Sequence, residues 1–234
     1  MNPSPVSTQW IDIAPGFAGC LALPPAGHGP GLLLWQEIFG VNAHIRAVAE
    51  QYALDGFVVL APDTFWRQAP RVSLGYEGDD RQRALALMKA YGTDDALADI
   101  AAATAVLRAR PETQGHALGS LGYCMGGRLA YLTAASTDIT AAVAYYGGGI
   151  QGMLDRAAGV RAALQFHYAG IDDHIPPEAV QQVREALPGA EVHVYAGAHH
   201  GFNCWARSAY HAPSASLAHG RALAFLAERL AFGR

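Results

Sequence analysis

Short apolar runs that alternate with segments of helical spacing constrain the fold of this chain more than any other feature. We predict buried strands at residues 31–35, 57–61, 117–122, 141–145, 162–168 and 191–195. We predict helices at residues 43–54, 81–91, 94–108, 125–135, 177–186 and 214–230, with N-caps at Asn42 and Ser214. Continuous apolar strands separated by helices are typical of an α/β fold, in which a mostly parallel sheet carries helices on both faces.

The composition favours one folded domain that spans residues 1–234. Hydrophobic residues make up 51% of the chain and charged residues 15%, so a sizeable core is expected. No Pro-, Gly- or Ser-rich stretch is long enough to link two domains. The net charge is −4 and no basic run occurs, so nucleic acid and anionic membranes are not expected as partners. Nothing in the sequence demands a protein partner, and we expect a monomer.

The cysteines and the N-terminal region indicate the cellular compartment in which the protein is expected. Cys20, Cys124 and Cys204 are odd in number, far apart and in no C-x-x-C pair, which predicts neither a disulfide framework nor a zinc ribbon. No Lys or Arg precedes Arg46, whereas a secretory signal needs a basic segment ahead of its apolar run. The apolar runs are too short to span a bilayer. These features predict a cytoplasmic protein.

The loop Gly122-Tyr123-Cys124-Met125-Gly126-Gly127 lies between a predicted strand and a predicted helix. Ligands of such sheets bind beyond the carboxyl ends of the strands, where this loop lies. The pattern is that of a nucleophile elbow, G-x-S-x-G, with Cys in place of Ser. The positive end of the following helix would favour the thiolate of Cys124. The alternative is a small buried Cys in an ordinary glycine-rich turn.

Two further loops follow predicted strands and carry an acid and a base. Residues 169–176 contain Asp172 and Asp173, and residues 198–202 contain His199 and His200. The chain order of nucleophile, acid and histidine is that of the α/β-hydrolase fold. Taken alone, the aspartates also suit an N-cap or a solvated loop, and the histidines suit an exposed surface. The adjacent histidines supply no carboxylate or thiolate cluster, so no metal site is predicted.

Several motifs together resemble the dienelactone hydrolase (carboxymethylenebutenolidase) family over nearly the whole chain. They are Gln36-Glu37-Ile38-Phe39-Gly40-Val41-Asn42, Ala61-Pro62-Asp63, Arg67-Gln68-Ala69-Pro70, the Cys124 loop and Tyr145-Tyr146-Gly147. The resemblance implies an α/β-hydrolase fold and hydrolysis of a small ester or lactone without metal or organic cofactor. It implies a triad of Cys124, Asp172 and His200. It also implies an oxyanion hole formed by the backbone N–H groups of Ile38 and Met125.

Two charged residues match family positions near the substrate. Glu37 matches a glutamate that takes the proton of the nucleophilic thiol when substrate binds. A carboxylate that ends an apolar strand is costly unless it is paired or functional, and a structural ion pair is the alternative. Arg83 matches an arginine that binds the substrate carboxylate, for which a guanidinium is well suited. The alternative for Arg83 is an exposed helix charge.

The sequence departs from the family pattern at two positions where the family has residues that contact the substrate. Cys204 stands where the family has a second arginine that pairs with the substrate carboxylate and the glutamate. Either Arg207, three residues later, substitutes for it, or the carboxylate site is weakened. Leu87 stands where the family has a substrate-contacting tyrosine. A carboxylesterase acting on another small ester, or a non-catalytic small-molecule binder on a hydrolase scaffold, therefore remain alternatives to a dienelactone hydrolase.

Overall fold

A computed structural model describes residues 5–231 and joins their eight strands in one sheet. The strands are β1 Ser7–Ala14, β2 Phe17–Leu23, β3 Gly31–Trp35, β4 Val58–Pro62, β5 Leu118–Tyr123, β6 Ala141–Tyr145, β7 Ala163–Ile171 and β8 Glu191–His199. Their order across the sheet is β1-β2-β4-β3-β5-β6-β7-β8. β3 to β8 run parallel, and the β1–β2 hairpin joins β4 in antiparallel pairing. The predicted mostly parallel sheet is confirmed.

Helices cover both faces of this sheet. They are α1 Ala43–Leu54, α2 Gly78–Ala90, α3 Thr93–Ala109, α4 Met125–Ser136, α5 Pro177–Ala186 and α6 Ala212–Leu226, with short helical segments at Pro111–Thr113, Ile150–Gly159 and Ala227–Ala231. α1 and α6 meet where the rings of Tyr52 and His219 lie 5.3 Å apart, and α3 packs against α4. Every residue of β3, β4, β5 and β6 is buried, as expected for parallel strands between two helical layers.

The antiparallel hairpin of β1 and β2 is absent from our strand prediction. β1 is an edge strand whose residues are mostly exposed or half-buried, so its sequence shows no continuous apolar run. β8, the opposite edge strand, is likewise half-exposed and extends to His199, four residues beyond the predicted end. Edge strands bury only part of their surface, which weakens the hydrophobic signal from which strands are predicted.

The two predicted N-caps have opposite outcomes. The side chain of Asn42 accepts a hydrogen bond of 3.2 Å from the backbone N–H of Ile45, so this cap is confirmed. The Ser214 cap is wrong, because α6 begins two residues earlier and His211 occupies the cap position. Pro213 lies in the first turn, where its fixed φ angle favours helix initiation. Ser214 instead hydrogen-bonds the His211 ring at 2.8 Å.

The parallel strands bring the candidate loops to one edge of the sheet. β3, β5, β7 and β8 are followed by the segments that contain Glu37, Cys124, Asp172 and His200, respectively. Because these strands share one direction, their carboxyl ends lie together. Within residues 5–231, no helix has the length and apolar character needed to cross a membrane.

Candidate active site

Cys124 sits on a strained turn between β5 and α4. Its φ and ψ angles are 56° and −117°, a conformation that L-residues other than glycine rarely adopt. The turn is held by a hydrogen bond of 3.0 Å from the Cys124 N–H to the carbonyl oxygen of Tyr145. A strained residue held by its surroundings at a strand-to-helix junction is the structural context of a nucleophile elbow.

Glycine at two positions makes this turn possible. A Cβ atom at Gly122 would lie 2.0 Å from the carbonyl oxygen of Gly126. A Cβ atom at Gly126 would lie 2.2 Å from the carbonyl oxygen of Trp35. Both neighbours are backbone atoms, which have no rotamer by which to move away. The sequence pattern around Cys124 is therefore a steric requirement of the backbone.

Asp172 and His200, which we predicted as the acid and the base, are in hydrogen-bonding contact. His200 Nδ1 lies 2.9 Å from Asp172 Oδ2, and Asp172 Oδ1 accepts hydrogen bonds from the backbone N–H groups of His174 and Ile175. Cys124 lies close enough to His200 to raise the pKa of the imidazole, and both residues line one cavity. Asp173 and His199, the alternatives left open by the sequence, are both exposed.

Electrostatics in this group favour a charged imidazolium. Burial lowers the pKa of His200, but the hydrogen bonds with Asp172 and Cys124 outweigh burial and raise it to about 10. Burial pushes the pKa of Asp172 upwards, yet the hydrogen bond from His200 holds it below its usual value. The buried ring of Tyr146 packs against His200 with 5.0 Å between centroids, and it limits how far the imidazole can turn.

A cavity of about 320 Å³ opens in front of Cys124. Cys124, His200, Ile38 and Met125 all line it. Met125 is the first residue of α4, where backbone N–H groups lack an intrahelical acceptor. Ile38 lies in the loop after β3, the second position from which this type of elbow draws an oxyanion-hole donor. The predicted oxyanion residues thus share the cavity with the candidate nucleophile.

Glu37 is buried behind this cavity and is paired with Arg207. Arg207 Nη1 donates a hydrogen bond of 3.2 Å to Glu37 Oε1. Burial raises the pKa of Glu37 despite the nearby Arg207 and His200. The thiol of Cys204 donates a hydrogen bond of 3.4 Å to the hydroxyl of Tyr76, and its proximity to Glu37 lowers the pKa of that carboxyl. Among the described residues, Arg207 is the hydrogen-bond partner of the Glu37 carboxylate, and the thiol of Cys124 is not.

Arg207 reaches Glu37 although Cys204 occupies the position of the family arginine. A hydrogen bond of 3.1 Å from the Arg207 N–H to the Cys204 carbonyl oxygen closes a turn. This turn directs the Arg207 side chain to Glu37. The guanidinium then lies 5.6 Å from the ring of Phe39 and 5.7 Å from that of Tyr76. Gly201 leaves room for it, since a Cβ there would come within 2.4 Å of Arg207 Nη1.

The arginine that α2 contributes to the cavity is Arg81, and Arg83 does not line it. Arg81, Leu85 and Met88 are spaced four and three residues apart, so they share one face of α2 and line the cavity together. Arg83 lies about 200° around the helix from Arg81 and is exposed. The structure thus places Arg81, and not the predicted Arg83, at the cavity, and the contact of either arginine with the substrate stays a prediction.

Arg128 is a cavity residue that our sequence reasoning missed. It lies in the first turns of α4, four residues after Cys124, and lines the same cavity. Its side chain packs along Gly149, where an added Cβ would be 3.3 Å from Arg128 Nη1. A signal was present in the sequence, because a residue at this spacing from an elbow nucleophile returns to the same face of the helix.

The chain is similar to known proteins over nearly its whole length. The family model of the dienelactone hydrolase family matches residues 17–230. Carboxymethylenebutenolidases of Pseudomonas putida and Pseudomonas knackmussii are each 36% identical over 216 residues, which cover 90% of this chain and 91% of each relative.

One solved structure, a dienelactone hydrolase-like promiscuous phosphotriesterase from metagenomic libraries, superposes with a TM-score of 0.83. It covers 96% of this chain and 99% of the other at 21% identity, which supports the fold alone. The match to the family model and the identity to the two relatives extend over nearly the whole length of the chain. The chain therefore belongs to the dienelactone hydrolase family.

Proposed function

We propose that this protein hydrolyses small esters or lactones through a covalent thioester on Cys124. The observation that carries the proposal is the grouping of a strained Cys124, His200 and Asp172 on one cavity. Nucleophilic catalysis requires a nucleophile, a base and an orienting group close to one another, and the hydrogen bond between His200 and Asp172 beside Cys124 supports this assignment.

In the acylation step, the thiolate of Cys124 attacks the carbonyl carbon of the substrate and forms a tetrahedral oxyanion. The backbone N–H groups of Ile38 and Met125 stabilise the negative charge on its oxygen. Collapse of the intermediate breaks the bond to the leaving oxygen, which takes a proton from the imidazolium of His200. The product of this step is a thioester on Cys124.

In the deacylation step, neutral His200 removes a proton from water while the water attacks the thioester carbonyl. Collapse of the second intermediate expels the Cys124 thiolate and releases the carboxylic acid. Asp172 holds Nδ1 of His200 and stabilises the imidazolium, so His200 is re-formed as the charged partner of the thiolate. Glu37 anchors Arg207 at the cavity wall and places a further carboxylate near His200, which supports an electrostatic role in this cycle.

The charges of the cavity support an anionic substrate. Arg81 and Arg207 both line the cavity that contains Cys124. A guanidinium forms paired hydrogen bonds with a carboxylate, and this geometry fixes the orientation of the substrate as well as its charge. A lactone or ester that carries a carboxylate, such as the dienelactone of the named family, is therefore the proposed substrate class.

The test is hydrolysis of p-nitrophenyl acetate and of dienelactone by the wild-type protein, by Cys124→Ala and by His200→Asn. Each variant is expected to lose about 10³-fold or more in kcat. Cys20→Ala is the matched control, because Cys20 is buried in β2 away from the cavity, and it should retain full activity. Mass spectrometry after rapid quenching should find the acyl group on Cys124. Undiminished turnover by Cys124→Ala would refute the proposal.

A further inference from the structure

The active-site cavity is strongly cationic although the whole chain carries a net charge of −4. Its lining includes Arg81, Arg128 and Arg207 together with His174 and His200. Within the described part of the chain, no Asp or Glu lines it. A cavity with this lining favours negatively charged ligands, because the low-dielectric walls of a cleft concentrate the field of its charges.

The three guanidinium groups differ in how their charge is compensated. Arg207 is paired with the buried carboxylate of Glu37. Among residues 5–231, neither Arg81 nor Arg128 forms an ion pair with any carboxylate. Two positive charges in the cavity therefore lack a negative partner from the described part of the chain.

Arg128 lies at the boundary between two cavities. Together with Met88, it lines the active-site cavity and also an adjacent cavity of about 240 Å³. The adjacent cavity reaches to Thr93 at the start of α3, whereas Glu37 follows β3. Arg128 and Arg81 project from different helices, α4 and α2, so each can meet a different part of one ligand.

We propose that Arg128 binds a second carboxylate of the substrate, so that the preferred substrates are esters or lactones bearing two carboxylates. One carboxylate meets Arg81, and the second meets Arg128 at the boundary with the adjacent cavity. A single guanidinium balances the single charge of a carboxylate in a bidentate pair, whereas it would leave one charge of a phosphate dianion unbalanced. This inference rests on the proposed function only for the reaction, since the binding of two carboxylates is separable from turnover.

The first test measures binding without chemistry. Calorimetry compares glutarate, adipate and suberate with the monocarboxylates of equal chain length, on the wild-type protein and on Arg128→Gln. At least one dicarboxylate should bind the wild-type protein about tenfold more tightly than its monocarboxylate. Arg128→Gln should remove that advantage and leave monocarboxylate binding nearly unchanged, while Arg128→Lys should keep part of it. Arg83→Gln is the control, because Arg83 is exposed outside the cavity.

Two binding results would overturn the proposal. One is the absence of any dicarboxylate preference in the wild-type protein. The other is an equal loss of monocarboxylate and dicarboxylate binding in Arg128→Gln, which would mean that Arg81 and Arg128 clamp a single carboxylate. Unchanged thermal unfolding of each variant separates these results from a folding defect.

The second test measures kcat/KM for p-nitrophenyl esters that carry zero, one or two carboxylates. Arg128→Gln should lower kcat/KM about tenfold more for the doubly charged ester than for the neutral ester. A wild-type protein that binds dicarboxylates as described but cleaves no ester would refute the proposed function and leave the second carboxylate site standing. Ester cleavage with no selectivity for charge would refute the second carboxylate site and leave the proposed function standing.

Discussion

Arg207 and Glu37, which are 170 residues apart in the sequence, form an ion pair of 3.2 Å at the wall of the active-site cavity. The family resemblance places an arginine at position 204, where this chain has a cysteine. The turn from Cys204 to Arg207 brings a guanidinium to the same glutamate from a position three residues later. The sequence left open whether Arg207 replaces the arginine that is missing at position 204. As the partner of Glu37, Arg207 does replace it.

Arg207→Gln should destabilise the protein, because it leaves Glu37 buried without its charge partner. Glu37 is only 2% exposed, and the expected loss in the free energy of unfolding is about 2 kcal/mol at neutral pH. The pKa of Glu37 is already raised by burial, so protonation relieves the defect and the loss should shrink as the pH falls. Urea denaturation at several pH values measures it. Glu37→Gln combined with Arg207→Gln should recover part of the stability, and a double variant no better than Arg207→Gln would contradict this account.

Gly126→Ala should disrupt the elbow, because the new Cβ would approach the carbonyl oxygen of Trp35 at 2.2 Å. The expected cost is about 3 kcal/mol in the free energy of unfolding, together with loss of esterase activity. Gly152→Ala is the matched control, because a Cβ there would meet no atom within 4 Å. Chemical denaturation and p-nitrophenyl acetate hydrolysis measure both effects. Equal stability of the two variants would mean that the close approach at Gly126 is easily relieved.

Asp172→Asn should remove a pH-dependent part of the stability. The folded protein raises the pKa of His200 to about 10, because the hydrogen bond with Asp172 outweighs burial, whereas the unfolded chain has a value of about 6.5. The folded state therefore binds this proton more tightly. The resulting stabilisation is fully present below about pH 6.5 and is lost as the pH rises through about 10.

The difference in unfolding free energy between the wild-type protein and Asp172→Asn should accordingly be greatest near pH 6 and decline towards pH 10. Denaturant titrations across this range measure it. Asp173→Asn is the control, since Asp173 is exposed and its difference from the wild type should not vary with pH in this way. A constant difference for Asp172→Asn would show that the pair does not set the protonation of His200.

Arg81→Gln should lower kcat/KM for a singly charged p-nitrophenyl ester about tenfold and leave the neutral ester unchanged. The reason is that Arg81 lines the cavity, so its guanidinium is available to the carboxylate of a bound ester. Arg83→Gln removes the same charge from the same helix and should change neither rate. If Arg83→Gln were the variant with the charge-dependent defect, α2 would present a different face to the substrate than the one described.

The sheet and the position of the candidate nucleophile were predictable because their signals are local. Buried parallel strands appear as apolar runs, and the Cys124 elbow needs glycines at fixed spacings. Once the strands were assigned, their common direction brought Asp172 and His200 to the same edge as Cys124. The choice of Asp172 over Asp173 came from the family pattern, and the hydrogen bond of 2.9 Å to His200 agrees with it.

The arginines that line the cavity were harder to predict, because which of them faces the cavity depends on the rotation of the helix that carries it. Arg81 and Arg83 are equivalent as residue types, and which one faces the cavity is set by the packing of α2 on the rest of the protein. Only Ala84 of this helix is buried, so the sequence carries a weak apolar stripe from which to judge its rotation. Arg128 likewise has no signature beyond its distance from Cys124.

The burial of the cysteines has a consequence for handling the molecule. Cys20 and Cys204 are 3% and 0% exposed, and burial beside Glu37 raises the pKa of Cys204 to about 12. Cys124 is partly exposed at the cavity. A mild electrophile therefore finds one accessible thiol in the native protein. The chain carries a built-in attachment point at which a fluorophore or a covalent probe can be placed in the cavity at one equivalent, without removing any other cysteine.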